Sequence, residues 1–186
     1  MMFVFPATYI LWFLSEIFLS LSRRSEKSDK NNADRGSLGL IWAIIIAANV
    51  SSYYISVWFP LFISENQSIR YVGLVVILIG VLLRFTVVAT LGKFFTVNVT
   101  IRPDHKLKTD GLYKYVRHPS YSASILSFVG YGISLNNWLS LLLITASVLT
   151  AFMIRIRIEE RTLVGYFGDE YLDYMENTKR LIPFVF

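Results

Sequence analysis

Two stretches of this chain, Leu38–Ser64 and Ser120–Ile154, contain no Asp, Glu, Lys, Arg or His, the second over 35 residues. A water-facing surface cannot be made from runs of that length. About 20 apolar residues are what an α-helix needs to cross a hydrocarbon core of roughly 30 Å. Two further runs have the same character: Phe3–Leu21 is apolar apart from Glu16, and Tyr71–Gly92 is broken only by Arg84. Phe3–Leu21, Leu38–Ser64 and Tyr71–Gly92 each read as one membrane helix. The fourth run is too long for one, since as a single helix it would reach roughly 52 Å. Its middle, Ser134-Leu135-Asn136-Asn137-Trp138, is a polar turn with an interfacial tryptophan, so it reads as a helical hairpin. The expected fold is an all-α integral membrane protein with five transmembrane helices, the last two forming the hairpin.

Composition narrows the class further. Apolar residues make up 54% of the 186 and charged residues 17%, with a mean hydropathy of +0.51. A soluble domain carries about 25% charged residues to cover its surface. The soluble class is therefore excluded, together with disorder, collagen and disulfide-stapled secreted modules. Without a single cysteine, there is no disulfide, thiolate metal site or cysteine nucleophile. The N-terminal run has no basic segment before it and no small-residue cleavage site after it. Arg23-Arg24 follow instead, the pattern of an uncleaved signal-anchor with its N-terminus outside.

The net charge of +5 is a topology signal. Five basic residues lie in Ser22–Ser37, six in Lys93–Arg117 and five from Arg155 onward, so sixteen of eighteen fall on one side of the expected spans. This is the positive-inside distribution. It places both large polar segments and the C-terminus in the cytoplasm and leaves no nucleic-acid footprint. Residues 1–186 read as one membrane domain, with three N-terminal spans in 1–92 and the chemistry-bearing half in 93–186.

Two polar segments hold the candidates, Asn98–Tyr121 and Arg155–Arg180. Both histidines, His105 and His118, are in the first. In Arg117-His118-Pro119-Ser120-Tyr121, Pro119 opens the hairpin at a position where its missing N–H costs nothing. His118 then stands at the cap and Tyr121 one turn in, beside backbone N–H groups that suit an anionic ligand group. A plain cap and an interfacial aromatic belt account for the same residues. In the second segment Arg155 and Glu159 share a helix face with Thr162 and Tyr166, while Glu160 points to a neighbouring face. A surface ion pair is the bland account of that spacing. Gly168 is expected to break this helix, with Asp169 capping a last short helix over Glu170–Asn177.

Arg84 and Glu16 are intramembrane charges, functional candidates by default, and a pairing between them is open. Gly130-Tyr131-Gly132 lies inside an apolar arm and reads as packing. No GxGxxG after a strand, P-loop or GxSxG elbow is present, which excludes a Rossmann or nucleotide-phosphate site and a serine hydrolase. Two histidines thirteen apart without cysteine make no catalytic zinc site.

Gly111-Leu112-Tyr113, Arg117-His118-Pro119-Ser120-Tyr121, Glu159-Glu160, Phe167-Gly168-Asp169-Glu170-Tyr171 and Leu181-Ile182-Pro183-Phe184 together resemble the isoprenylcysteine carboxyl methyltransferase family. That family sits in a wider group of membrane methyltransferases that includes phospholipid N-methyltransferases. The resemblance covers about residues 93–186. It implies an S-adenosylmethionine pocket facing the cytoplasm without a Rossmann fold, and a lipidated substrate entering from the bilayer. No metal is expected, as the histidine spacing already indicated. His105-Lys106-Leu107-Lys108 stand where the family contacts the cofactor, with Lys108 in place of a valine. Tyr113 and His118-Pro119-Ser120-Tyr121 would complete the pocket wall, and Asn98 falls where relatives can carry glutamine. Glu159 corresponds to the cofactor-binding acid, and Arg155 to the substrate-side arginine, with Glu160 beside it.

The chemistry agrees with that assignment. Methyl transfer from a sulfonium is an in-line displacement that asks mainly for orientation. A carboxylate acceptor is ionised at neutral pH and needs no base, whereas a phospholipid amine needs deprotonation first. Three classes stay open on sequence: a membrane methyltransferase acting on a prenylated cysteine carboxylate, a phospholipid amine or another small hydrophobic acceptor; a sterol-type reductase using a nicotinamide cofactor; and a non-catalytic membrane binding protein.

Overall fold

The computed structural model describes residues 3–22, 37–91 and 107–183. Its elements are α1 (Val4–Ser22), α2 (Ser37–Trp58), α3 (Ile69–Leu91), a 3-10 turn (Gly111–Lys114), α4 (Pro119–Ser134), α5 (Trp138–Phe167) and α6 (Asp169–Asn177). Among the described residues there is no strand, only an isolated parallel bridge between Val116 and Lys179. By length and composition, helix residues Gly39–Trp58, Ile69–Leu91 and Trp138–Phe167 are long and apolar enough to cross a membrane. The other two expected spans are shorter, α1 at 19 residues and α4 at 16. Leu11, Leu82 and Leu142 stand outward and exposed on the apolar helices, as lipid-facing residues do.

The hairpin turns where the polar residues were expected to turn it. Asn136 adopts φ 52°, a left-handed conformation that asparagine tolerates. Its side chain also clamps the connection before α3, accepting from Ser64 N at 3.0 Å and donating to Ser64 O at 2.9 Å. Asn137 caps α5 by accepting from Ser140 N at 2.9 Å and reaches across to the Phe59 carbonyl at 2.6 Å. Without water to satisfy them, these buried backbone groups need side-chain partners.

α3 and α4 pack along a seam of small residues. A Cβ placed on Gly130 would lie 2.6 Å from Ile77 N and 2.8 Å from Gly73 O, and one on Gly80 would strike the Ser127 side chain and backbone. In lipid, where apolar burial no longer drives helices together, small residues permit the close backbone approach that does. The central packing of Trp12, Ile45, Ile77, Phe128, Tyr131, Ile144, Val148 and Phe152 fills the space among α1 to α5. Ser52 and Ser140 add a reciprocal pair of hydroxyl-to-carbonyl bonds, at 3.3 and 2.7 Å, between α2 and α5.

α5 runs unbroken for 30 residues, about 45 Å at 1.5 Å per residue. It therefore outlasts a hydrocarbon core and carries Arg155, Glu159 and Glu160 to one end of the bundle. Gly168, at φ 57°, closes it and is also the cap position of α6, so Asp169 is the first residue of α6 and not its cap. A glycine takes both duties because only the left-handed backbone lets the two helices meet without a linker.

Candidate functional site

The site grows from the first residues of α4. His118 occupies the N-cap position and Pro119 the first helical position, as the sequence indicated. The backbone groups at this helix end, where an anion site was expected, are partly engaged within the chain. Pro119 has no N–H, and Tyr121 N and Ser122 N both donate to the His118 carbonyl, at 3.1 and 3.2 Å. The chain's own segment after α6 lies across this end. Arg117 N donates to Lys179 O at 2.7 Å, His118 N to Arg180 O at 3.1 Å, and Ser122 Oγ to Leu181 O at 2.6 Å. Residues 178–181 thus form a strap over the Arg117-His118-Pro119 segment.

Beneath the strap, the two glutamates of α5 are treated differently. Glu160 has a side chain only 6% exposed and is held by two guanidinium groups. Arg117 Nε donates to its Oε1 at 3.0 Å, and Arg180 donates to Oε2 through both Nε and Nη2 at 3.0 Å. His118 Nε2 lies 3.4 Å from the same Oε1. Arg117 is itself fixed to the carbonyls of Met175 (3.0 Å) and Thr178. Glu160 is therefore the hub that ties α4, α5 and the strap together. Expected beside Arg155 on the substrate side, it stands with both oxygens engaged by arginines, because the strap delivers a second cation to it.

Glu159, one residue earlier, faces elsewhere. Its side chain is 31% exposed, with Tyr121 donating to Oε2 at 3.0 Å and His118 Nδ1 at 3.9 Å from the same oxygen. Imidazole and phenol are weak partners compared with two guanidinium groups, and this carboxylate keeps a share of solvent. Arg155, buried at 3% exposure, reaches the Tyr121 hydroxyl from the same helix face. Tyr121 thus stands between the candidate acid and the candidate arginine, and its ring packs 5.0 Å from Phe152 and 5.7 Å from His118.

A ring of buried phenols encloses the acids. Burial, with the Glu159 carboxylate adding to it, holds the Tyr113 hydroxyl well above the usual phenol range; Tyr171, facing both glutamates, is held up in the same way. Tyr174 is raised by burial to about 12 against the lowering pull of Arg117. It donates to the Tyr113 carbonyl at 2.5 Å, so α6 holds the 3-10 turn in place. All three remain neutral donors at any physiological pH.

His118, Pro119, Ser120, Tyr121, Tyr113, Arg155, Glu159 and Glu160 all converge on this end of the bundle. Leu107 instead lines a cleft of about 380 Å³ with Thr109, Lys114 and the Glu170, Asp173, Tyr174, Asn177 and Thr178 face of α6. Lys108 pairs with Asp110 at 2.8 Å. Asn98, His105 and Lys106 lie outside the described residues. Four residues of the hub were not singled out from sequence: Arg117, Tyr171, Thr178 and Arg180. Arg117 and Tyr171 stood inside the quoted motifs, whereas Thr178 and Arg180 lay between two of them. Counting every basic residue toward topology hid the two arginines.

An all-helical bundle with membrane-length helices brings a third-exposed acid, an arginine, an imidazole and several phenols to one polar end, so the fold and site define an intramembrane protein with a polar site and no Rossmann fold. The profile of the isoprenylcysteine carboxyl methyltransferase family matches residues 72–165, which takes in α4 and nearly all of α3 and α5. Protein-S-isoprenylcysteine O-methyltransferase B of Arabidopsis thaliana is 34% identical over 146 residues, covering 77% of this chain and 74% of the plant protein. The Tribolium castaneum protein-S-isoprenylcysteine O-methyltransferase is 32% identical over 146 residues, 77% of this chain and 52% of its own length. A solved structure of a eukaryotic intramembrane Ras methyltransferase, an isoprenylcysteine carboxyl methyltransferase, matches with a TM-score of 0.62 at 32% identity, covering 77% of this chain and 52% of that one. This chain belongs to the isoprenylcysteine carboxyl methyltransferase family, whose members are methyltransferases.

Proposed function

We propose that this protein transfers a methyl group from S-adenosylmethionine to the carboxylate of a prenylated cysteine, at the cytoplasmic surface of its membrane. The observation that carries the cofactor assignment is the unequal treatment of adjacent glutamates. Glu160 is bridged by Arg117 and Arg180, whereas Glu159 meets the Tyr121 hydroxyl and the His118 imidazole and stays a third exposed. A partly dry carboxylate of that kind suits an ammonium, and the aromatic faces beside it suit a sulfonium. The donor set therefore fits S-adenosylmethionine, which when bound supplies an electrophilic methyl group.

The chain's own residues would do the rest by placement. Glu159 would hold the ammonium, kept in orientation by Tyr121 and His118. Tyr113, on the 3-10 turn, would close the wall. Arg155 offers a planar two-pronged grip on a carboxylate acceptor, and its link to Tyr121 sets acceptor and donor ends in register. The acceptor is an anion already, so no base is required. A lipid-borne acceptor reaches the site because α5 carries it from the apolar bundle into the polar end without a break. The positive-inside distribution supports a cytoplasmic position for that end, with the first residue outside.

The names of the relatives favour prenylcysteine over a phospholipid amine. Calorimetry on the purified protein tests the cofactor half. Glu159→Gln should weaken S-adenosylmethionine binding by an order of magnitude or more, since a charge-assisted bond is worth roughly 1.5–3 kcal/mol. Unchanged affinity removes Glu159 from the site.

A further inference from the structure

The pair of charges within the spans has a partner on α4. Arg84 Nε lies 3.2 Å from Glu16 Oε2, with side-chain exposures of 14% and 11%. The other end of the guanidinium turns to α4, where Nη1 donates to the Ser120 carbonyl at 3.1 Å and to Ser124 Oγ. Ser120 is bonded directly to Tyr121, the residue whose hydroxyl meets Glu159 at 3.0 Å. A chain of short contacts thus runs from α1 through α3 and the first turn of α4 to the candidate cofactor acid on α5.

The position of Arg84 in the α3–α4 seam makes this more than a packing contact. The seam meets in antiparallel register: Gly73 against Gly130 and Ser134, then Gly80 against Ala123 and Ser127. One turn further toward the site the α3 residue is Arg84, opposite Ser120 and Ser124. Glycine and apolar Ile77 complete the earlier α3 steps, and an uncharged residue would complete this one without bringing a charge into the bilayer, where arginine and glutamate are costly. Replacing a buried ion pair by well-packed apolar groups is often neutral or stabilising. Packing alone therefore gives no reason for the pair. What an arginine adds is a directional hold on one carbonyl of the turn that carries His118 and Tyr121.

We infer that Arg84, oriented by Glu16, is a positioning residue for methyl transfer: it fixes the first turn of α4, and through it Tyr121 against Glu159 and Arg155. This inference rests on the methyltransferase reading of the site. It makes α1 part of the functional unit although α1 contributes no residue to the pocket.

The test separates holding the fold from holding the turn. The exchange Glu16→Arg with Arg84→Glu keeps an ion pair between α1 and α3, but a carboxylate at position 84 cannot donate to the Ser120 carbonyl. Full-length protein in detergent would be compared by melting temperature, S-adenosylmethionine affinity, and kcat and KM for N-acetyl-S-farnesylcysteine. The expected result is that Arg84→Met lowers the melting temperature, while the exchange returns it to within a few degrees of the parent. Transfer in both variants should fall tenfold or more, as misplacement on the scale of an ångström does, with most of the loss in kcat. Arg84→Lys, which keeps a charge and a donor, should recover part of it. Recovery of full transfer by the exchange would reduce the pair to a structural tie and overturn the inference. If the parent binds S-adenosylmethionine and all variants turn over normally, only the positioning role fails. If the parent itself binds none, both readings fail together.

Discussion

Replacing Glu160 by glutamine should cost this protein stability, and the size of the loss follows from its partners. The carboxylate is 6% exposed and bridges Arg117, itself 6% exposed, to Arg180, which is 31% exposed. Removing one member of a buried ion pair costs about 3–5 kcal/mol when the remaining charge is left uncompensated. Here the remainder is partly compensated. Arg117 keeps the carbonyls of Met175 and Thr178, and Arg180 can turn toward water. The expected loss is thus about 2–3 kcal/mol, close to that of one or two charge-assisted bonds. For a chain of this size that corresponds to a fall of roughly 4–12 °C in melting temperature. Differential scanning fluorimetry of purified protein in detergent reads it directly. Glu159→Gln, measured beside it, should move the melting temperature little, because Glu159 is a third exposed and solvent screens its contacts. A Glu160→Gln protein that melts like the parent, beside a Glu159→Gln protein that does not fold, would refute the division of roles between the two acids.

Other consequences follow from the same geometry. Arg155→Ala should leave S-adenosylmethionine binding within a few-fold of the parent by calorimetry while abolishing transfer to a prenylcysteine carboxylate; normal turnover would remove Arg155 from the acceptor side. Gly130→Ala would place a methyl against the α3 backbone at Ile77 N and Gly73 O. It should destabilise the protein by about 1–3 kcal/mol, the usual range for overpacking, as read by thermal unfolding. Tyr121→Phe removes the bond to Glu159 but keeps the ring, so cofactor affinity should fall about two- to tenfold, the equivalent of roughly 0.5–1.5 kcal/mol.

The membrane class was legible because charge is absent over long intervals, a signal that no tertiary contact can override. The hairpin at Asn136-Asn137 was legible for a similar reason, since an uncharged run too long to be one span has to turn at its polar residues. His118 at the cap, Pro119 behind it and the separation of Glu159 from Glu160 onto different faces followed from helix geometry alone. What the sequence hid depends on segments far apart in the chain. Nothing local says that residues 178–181 fold back over Arg117, or that this strap brings Arg180 to Glu160. Nor does local pattern show that Arg84 is held by Glu16 across α1 and α3. The strap's bonds to Arg117 N, His118 N and Ser122 Oγ at the start of α4 are a contact of the same long-range kind.

The central claim is methyl transfer to a prenylcysteine carboxylate through Glu159 and Arg155. It is tested most directly by incubating the purified protein with S-adenosylmethionine labelled in its methyl group, a prenylcysteine and phospholipid vesicles. The label should appear in a base-labile methyl ester of the prenylcysteine and should be lost in the Glu159→Gln and Arg155→Ala proteins. Label in a base-stable lipid amine, or equal incorporation by all three proteins, would contradict it.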